Sequence, residues 1–228
     1  MYLSRVMLNP ASRQVQHDLA DCQALHSTIL KAFPLKAPDS GDAREQFGVL
    51  YRVDVDKQGA MHLYVQSHVA PDWQFLRPDY AASAPVFKPV RGLYERITSG
   101  TVLGFTLRAN TTRKVGSTSK TQRIQGVEKS NGRRVFLTRP EDQLEWLERK
   151  AQYCGFKVLA ANLRHEDSRG KQRTNKAELH SLRFLGVVFE GSLIVTDKAL
   201  FLDALRQGIG PGKAYGFGLL SVASRVKA

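Results

Sequence analysis

The chain of 228 residues has only two cysteines, Cys22 and Cys154, and they stand far apart. That is neither a disulfide framework nor a zinc-ligand pattern. The six histidines are scattered without metal-ligand spacing. No apolar run approaches the roughly 20 residues that span a bilayer. The opening Met1–Leu8 stretch is too short and too interrupted for a signal sequence, and Asn9-Pro10 ends it. Acidic residues are scarce too: 21 Asp and Glu stand against 34 Lys and Arg, for a net charge of +13. The expectation is a cytoplasmic protein with no metal, no cofactor and no membrane contact. The charge calls for a polyanionic partner, nucleic acid before membrane.

What is present is most telling near the C-terminus. Glycine stands at 208, 210, 212, 216 and 218, with Lys213, Tyr215 and Phe217 between. Glycine at that density fits the interior of neither helix nor strand. It is not a P-loop, because Gln207 occupies the first glycine position and Ala214 the hydroxyl position. A dinucleotide fingerprint fails in both registers, at Lys213 and at Ser221. Two readings stay open. The backbone N–H groups around Gly210 and Gly212, with Lys213, can face a phosphate. Alternatively the stretch is a tight turn that anchors a last strand, Leu219–Val222.

Alternation and punctuation divide the chain into two α/β units. In the first, Tyr2–Leu8 reads as a strand, and Asp18 caps a helix running to Phe33. Phe47–Val55 and Met61–Val69 read as strands joined by Asp56-Lys57-Gln58-Gly59. A short helix or turn near Pro78–Ser83 and a strand Pro85–Val90 follow. The order β-α-β-β-α-β is ferredoxin-like, an arrangement that RNA-recognition modules share. In the second unit, Thr101–Ala109 and Arg133–Thr138 read as strands, and Pro140 opens a helix to Cys154. Strands Phe156–Asn162 and Leu179–Thr196 follow, the latter broken at Glu190-Gly191. Asp197 then caps a helix through Arg206. The fold class is α+β: tandem ferredoxin-like domains, 1–92 and 93–228, with antiparallel sheets and a C-terminal glycine-rich loop.

The positive charge is clustered. Arg108, Arg113, Lys114, Lys120, Arg123, Lys129, Arg133, Arg134 and Arg139 face a single acid, Glu128. A run so one-sided, without interleaved aromatics, points to duplex backbone contact rather than base stacking. A second run from Arg164 to Arg183 is diluted by Glu166, Asp167 and Glu178. Among the histidines, His26 falls in the apolar arc of Leu19, Cys22, Leu25, Ile29 and Phe33. Such a histidine is as a rule a core residue. The functional alternative is a proton-transfer group held at a domain junction. Lys31, five residues on, can swing toward a phosphate or stay solvated.

These pieces together resemble a known family. The blocks are Met1-Tyr2-Leu3-Ser4-Arg5-Val6, Leu8-Asn9-Pro10-Ala11-Ser12-Arg13, His26, Phe105-Thr106-Leu107-Arg108-Ala109-Asn110, Trp146-Leu147-Glu148-Arg149-Lys150, Val188-Phe189-Glu190-Gly191 and the tail Gly208–Val222. The chain resembles the CRISPR-associated endoribonucleases of the CasE type, end to end. The resemblance implies a basic cleft holding the stem of a CRISPR repeat hairpin. It implies metal-independent cleavage at the 3′ base of that stem, leaving a 2′,3′-cyclic phosphate, with the product retained for assembly with other Cascade subunits. It assigns catalysis to His26 with Lys31 assisting. Gln23 stands where some relatives carry a tyrosine, which puts a two-residue acid–base scheme in doubt. Arg108, Arg113, Lys114, Arg123, Arg133, Arg134, Arg139, Gly210, Gly212 and Lys213 are the expected RNA contacts. The alternative is a non-catalytic RNA-binding subunit of the same superfamily.

Overall fold

Alternating burial organises the first sheet. In β1 (Tyr2–Leu8), Ser4, Val6 and Leu8 are buried while Arg5 points to solvent. β2 (Leu50–Val55) and β3 (Met61–Ser67) form a hairpin. Asp56 sets its turn, its carboxylate accepting the N–H groups of Gln58 and Ala60 at 2.9 Å. β4 (Val86–Pro89) closes the sheet, whose order is β2-β3-β1-β4 with every pairing antiparallel. The computed structural model describes residues 1–34, 43–115, 133–173 and 179–224.

The second sheet repeats this order. Its strands are β5 (Val102–Asn110), β8 (Phe156–His165), β11 (Gly186–Val195) and β12 (Leu220–Ser224). They lie as β12-β5-β11-β8, all antiparallel. In both sheets the spatial sequence is fourth, first, third, second, which is the ferredoxin-like order. Two hairpins are inserted in the second unit: β6 (Thr112–Val115) with β7 (Arg133–Phe136), and β9 (Ser168–Arg173) with β10 (Leu179–Phe184).

The expected helix to Phe33 is two helices, α1 (Arg13–Ala20) and α2 (Cys22–Leu30). Asp21, not Asp18, caps α2, accepting the Gln23 N–H at 2.9 Å. Asp18 is buried within α1 and accepts the Tyr80 hydroxyl at 2.9 Å. A one-turn helix, α3 (Ala43–Gln46), precedes β2. The helix-or-turn near Pro78–Ser83 is a turn, with Ala81 bridging to Leu8. The helix α4 (Arg91–Glu95) comes after β4 instead. In the second unit, α5 (Pro140–Tyr153) and α6 (Lys198–Gln207) lie as expected, and Asp197 caps α6 through the Leu200 N–H at 3.0 Å. The strand break expected at Glu190-Gly191 falls at Leu185; both residues run through β11. Gly191 is needed there because a Cβ would collide with the Ala160 carbonyl of the neighbouring strand.

Each unit has its own core. Val6, Val15, Leu25, Ile29, Tyr51 and Leu63 belong to the first. Phe105, Leu107, Trp146, Phe189, Phe201 and Leu205 belong to the second. Buried polar side chains join the two. The Arg52 guanidinium pairs with Asp54 at 2.6 and 2.8 Å and reaches across to the Thr106 and Leu219 carbonyls at 3.3 and 3.2 Å. The Gln66 amide donates to the Leu205 carbonyl at 2.6 Å and accepts the Tyr94 hydroxyl at 3.2 Å. A polar group buried at a junction is tolerable only when bonded, so these bonds fix how the units dock.

Candidate active site and RNA interface

The site grows from the first turn of α2. One oxygen of the Asp21 carboxylate both caps that helix and accepts the Lys171 N–H of β9 at 3.2 Å. β9 can approach so closely because residue 170 is glycine. A Cβ there would lie 2.6 Å from Cys22 Sγ and 2.7 Å from Asp21 Oδ1. The β9–β10 hairpin therefore lies across the N-terminal end of α2. Register puts Ser168, Gly170, Leu182 and Phe184 on the face toward the helix, and Arg169, Lys171 and Arg183 on the other. Arg169, Lys171 and Arg183 are all exposed.

One turn along α2 comes His26, only 8% exposed. Its ring centroid is 6.2 Å from that of Tyr215. Tyr215 ends the 3₁₀ turn Lys213–Tyr215, which Gly212 and Gly216 flank at φ +82° and +81°. Side chains rarely adopt that left-handed backbone, so glycine is what lets the chain turn here. An aromatic chain continues from Tyr215 to Phe184 at 5.0 Å and on to Phe217 at 5.5 Å. The Arg108 guanidinium caps it, 4.4 Å above the Phe217 ring. Tyr51 holds the turn from the other unit, donating to the Ala214 carbonyl at 2.8 Å.

Cys22, Leu25, Tyr51, Glu166, Arg169 and Tyr215 line a cleft of about 570 Å³ between the units. Burial pushes the Cys22 thiol above its ordinary value, with a hydrogen bond from Ser168 opposing. That disfavours a thiolate nucleophile. Burial likewise holds the Tyr51 hydroxyl well above its usual range, so it stays a hydrogen-bond donor. Among the described residues, no group of three or more His, Cys, Asp or Glu is placed to hold a metal ion. Nor is any helix among them long and apolar enough to cross a membrane.

Comparison with known proteins gives the same fold and extent. Residues 1–224 match the family described as CRISPR associated protein. The chain belongs to that family. It is 34% identical to the CRISPR-associated endoribonuclease Cse3 of Thermus thermophilus, across 98% of this chain and all of the relative. It is 28% identical to the CRISPR system Cascade subunit CasE of Escherichia coli K12, across 98% of this chain and 99% of that one. A solved structure of CRISPR endoribonuclease Cse3 bound to a 19 nt RNA superposes with a TM-score of 0.75 at 31% identity, covering 98% and 100% of the two chains.

In this CRISPR-associated chain, the residues singled out from sequence fall into three places. Gln23 and His26 share α2 three residues apart, on one face, and Gln23 is partly buried. Lys31 is the exposed C-cap of the same helix, about 7.5 Å along the axis from His26 at 1.5 Å per residue. Arg113 and Lys114 of β6 and Arg134 of β7 are exposed on the first inserted hairpin, with Lys114 opposite Arg134 in register. Like charges directly opposite are destabilising unless an anion lies against them. Arg133 is placed by its backbone in β7, Arg139 is exposed at the N-cap of α5, and Arg123 lies outside the described residues.

Three of the expected contacts face inward instead. The Arg108 guanidinium is buried, ion-paired with Glu166 at 3.1 Å and bonded to the carbonyls of Gly216 and Glu166 at 3.4 and 3.1 Å. Burial draws its pKa down while Glu166 opposes the shift. In this arrangement Arg108 supports the glycine turn. Gly210 and Gly212, at φ +86° and +82°, are packed: a Cβ would lie 3.0 Å from Trp146 at the first and 3.1 Å from Phe217 at the second. Lys213 lines a separate cavity with Arg44 and Arg206. The basic run from Arg164 to Arg183, diluted by acids in the sequence, folds with Arg169, Lys171 and Arg183 on one exposed face, which the period-2 spacing Arg169-x-Lys171-x-Arg173 already signals. The sequence gives Tyr215 no role, because only docking of the units brings it to His26.

Proposed function

We propose that this chain is a CRISPR RNA-processing endoribonuclease that cleaves a repeat hairpin at the 3′ base of its stem, with His26 as the proton-transfer residue. One observation carries the reading. His26 packs against Tyr215 beside an interdomain cleft, under a hairpin with an exposed basic face. The ribose 2′-OH at the cleavage site loses its proton and attacks the adjacent phosphorus in line. The P–O bond to the 5′-oxygen breaks, and that oxygen takes up a proton. The products are a 2′,3′-cyclic phosphate and a 5′-hydroxyl, and no redox change or metal is required. A histidine can pass protons in both directions near neutral pH. Lys31 supplies positive charge to the developing phosphorane, and Gln23 offers hydrogen bonds but no titrating proton.

Arg113, Lys114, Arg123, Arg133, Arg134 and Arg139 hold the stem's phosphates, and the cleaved RNA stays bound for assembly with Cascade subunits in the cytoplasm. Support comes from the RNA-bound and Cascade-subunit relatives and from the basic hairpin. The test is single-turnover cleavage of the cognate repeat hairpin. His26→Ala should lower the rate by about 10²–10⁴ with RNA affinity retained. A 2′-deoxy residue at the cleavage site should stop the reaction, and chelator should leave it unchanged. Wild-type cleavage by His26→Ala would remove His26 from the mechanism.

A further inference from the structure

Alternation along the first sheet leaves one of its faces unfinished. Ser4, Val6 and Leu8 turn toward α1 and α2, so Leu3 and Arg5 turn the other way. Register adds Tyr64 and Val86 opposite Arg5, and Gln66 and Lys88 opposite Leu3. The second unit covers part of this face, where Gln66 donates to the Leu205 carbonyl. The rest is open. A groove of about 470 Å³ runs from Leu3 and Lys88 past α4 to β12, lined by Val90, Leu93, Ile97 and Val222. A hollow of about 360 Å³ continues from Leu3 and Lys88 over Tyr64 and Val86. Val86 is 51% exposed and Leu93 52%.

An antiparallel sheet face that meets water carries polar side chains as a rule. Leu3, Tyr64 and Val86 break that rule side by side, and a continuous apolar patch with a polar rim marks an interaction site. The rim has one sign. Lys88 and Arg96 edge the groove and Arg5 edges the hollow, all exposed, and none has an ion-pair partner among the described residues. The one acid of α4, Glu95, is held by Arg91 at 2.7 Å.

This chemistry selects the occupant. The apolar lining of the groove is aliphatic but for Tyr94, whose hydroxyl Gln66 accepts. Single-stranded RNA sites stack bases on aromatic rings instead. A second copy fits poorly, because a two-fold interface sets a patch against itself. That would press a cationic rim onto its own image in a chain of net charge +13. An apolar protein segment flanked by carboxylates both buries the lining and pairs the rim.

We infer that this groove docks an acidic-flanked apolar segment of a partner protein subunit. The inference rests on the reading above that the chain assembles with Cascade subunits. α2 and His26 belong to the opposite face of the same sheet, so partner and RNA can be held at once.

The test uses the remaining Cascade subunits assembled on a CRISPR RNA that lacks its 3′ hairpin, so that only protein contact can hold this chain. Wild type should bind that assembly. Leu93→Asp and the double variant Lys88→Glu/Arg96→Glu should each weaken binding about tenfold or more, the loss of one interface hot spot. Lys157→Glu, the same charge change on exposed β8 of the second unit, should not. All variants should melt near the wild-type Tm and should bind and cleave a free repeat hairpin within about twofold of wild type.

Absence of wild-type binding, or equal binding by folded Leu93→Asp, overturns the docking site. If Leu93→Asp melts well below wild type, the double variant decides alone: its loss of binding sustains the proposal, and unchanged binding overturns it. Loss in Leu93→Asp without loss in the double variant overturns the acidic partner. Hairpin binding that falls in parallel with assembly assigns the face to RNA. A wild-type dimer that Leu93→Asp dissolves assigns it to a second copy. Failure of the wild type to cleave the hairpin overturns the proposed function instead, and the binding comparison still stands.

Discussion

A single methyl group at position 170 tests whether the basic hairpin must rest on α2, the helix that carries His26. In Gly170→Ala the new Cβ would lie 2.6 Å from Cys22 Sγ, 2.7 Å from Asp21 Oδ1 and 3.2 Å from the Cys22 nitrogen. Comfortable contact needs about 3.5–4.0 Å, so β9 must retreat by about 1 Å. The Lys171 N–H, now 3.2 Å from the Asp21 carboxylate, then passes beyond hydrogen-bond range. Overpacking costs about 1–3 kcal/mol and the lost hydrogen bond about 0.5–1.5, while relief of glycine's entropy returns up to about 1. The net expectation is destabilisation of roughly 1–3 kcal/mol, measured as a shift of the urea midpoint at constant slope. The double variant Gly170→Ala/Cys22→Ala removes the nearest obstructing atom and should recover about 1 kcal/mol beyond additivity. Single-turnover cleavage by Gly170→Ala should fall more than RNA binding does, because the hairpin shifts relative to His26. Unchanged stability, or strictly additive effects in the double variant, would refute close packing of β9 on α2.

Two further expectations follow from the domain junction. Arg52→Met should cost about 2–4 kcal/mol in urea unfolding, because it leaves the Thr106 and Leu219 carbonyls and Asp54 without their shared donor; an effect within 0.5 kcal/mol would show that the units dock without it. His68 concerns pH. Burial, then the N-terminal ammonium and Arg206, hold its imidazole below the ordinary value of 6.5. Between that lowered value and 6.5 the unfolded chain binds more protons than the folded one, so stability is full above 6.5 and is lost as pH falls through the window. His68→Gln should flatten the Tm profile there, and an unaltered slope would contradict the assignment.

Several functional features were legible because they are local. The alternation in Tyr2–Leu8 and the Asp56 turn specify strands through backbone periodicity. Pro140 and Asp197 mark helix starts through the N–H groups they spare or satisfy. The one-sided charge from Arg108 to Arg139 indicates a polyanionic partner whatever the fold. Asp18 misled because a capping residue and a buried acceptor look alike in sequence; Tyr80, 62 residues away, makes it the latter. The Glu190-Gly191 break misled because glycine signals either a turn or close strand packing, and only the neighbouring Ala160 decides between them.

The sequence by itself determined most of the sheet strands, the helix starts at Pro140 and Asp197, the basic character and the position of His26 on an apolar helix face. Only tertiary structure decided what that histidine meets. The glycine stretch was open between a phosphate cradle and a structural turn. Its glycines pack against Trp146, Phe217 and Tyr51, so they serve the turn. That turn carries Tyr215 to His26. Propensity and charge are written along the chain. Which side chains share a cavity depends on how two separately folded sheets dock through Arg52, Gln66 and Tyr51, contacts between residues more than 50 positions apart, and no local pattern records them.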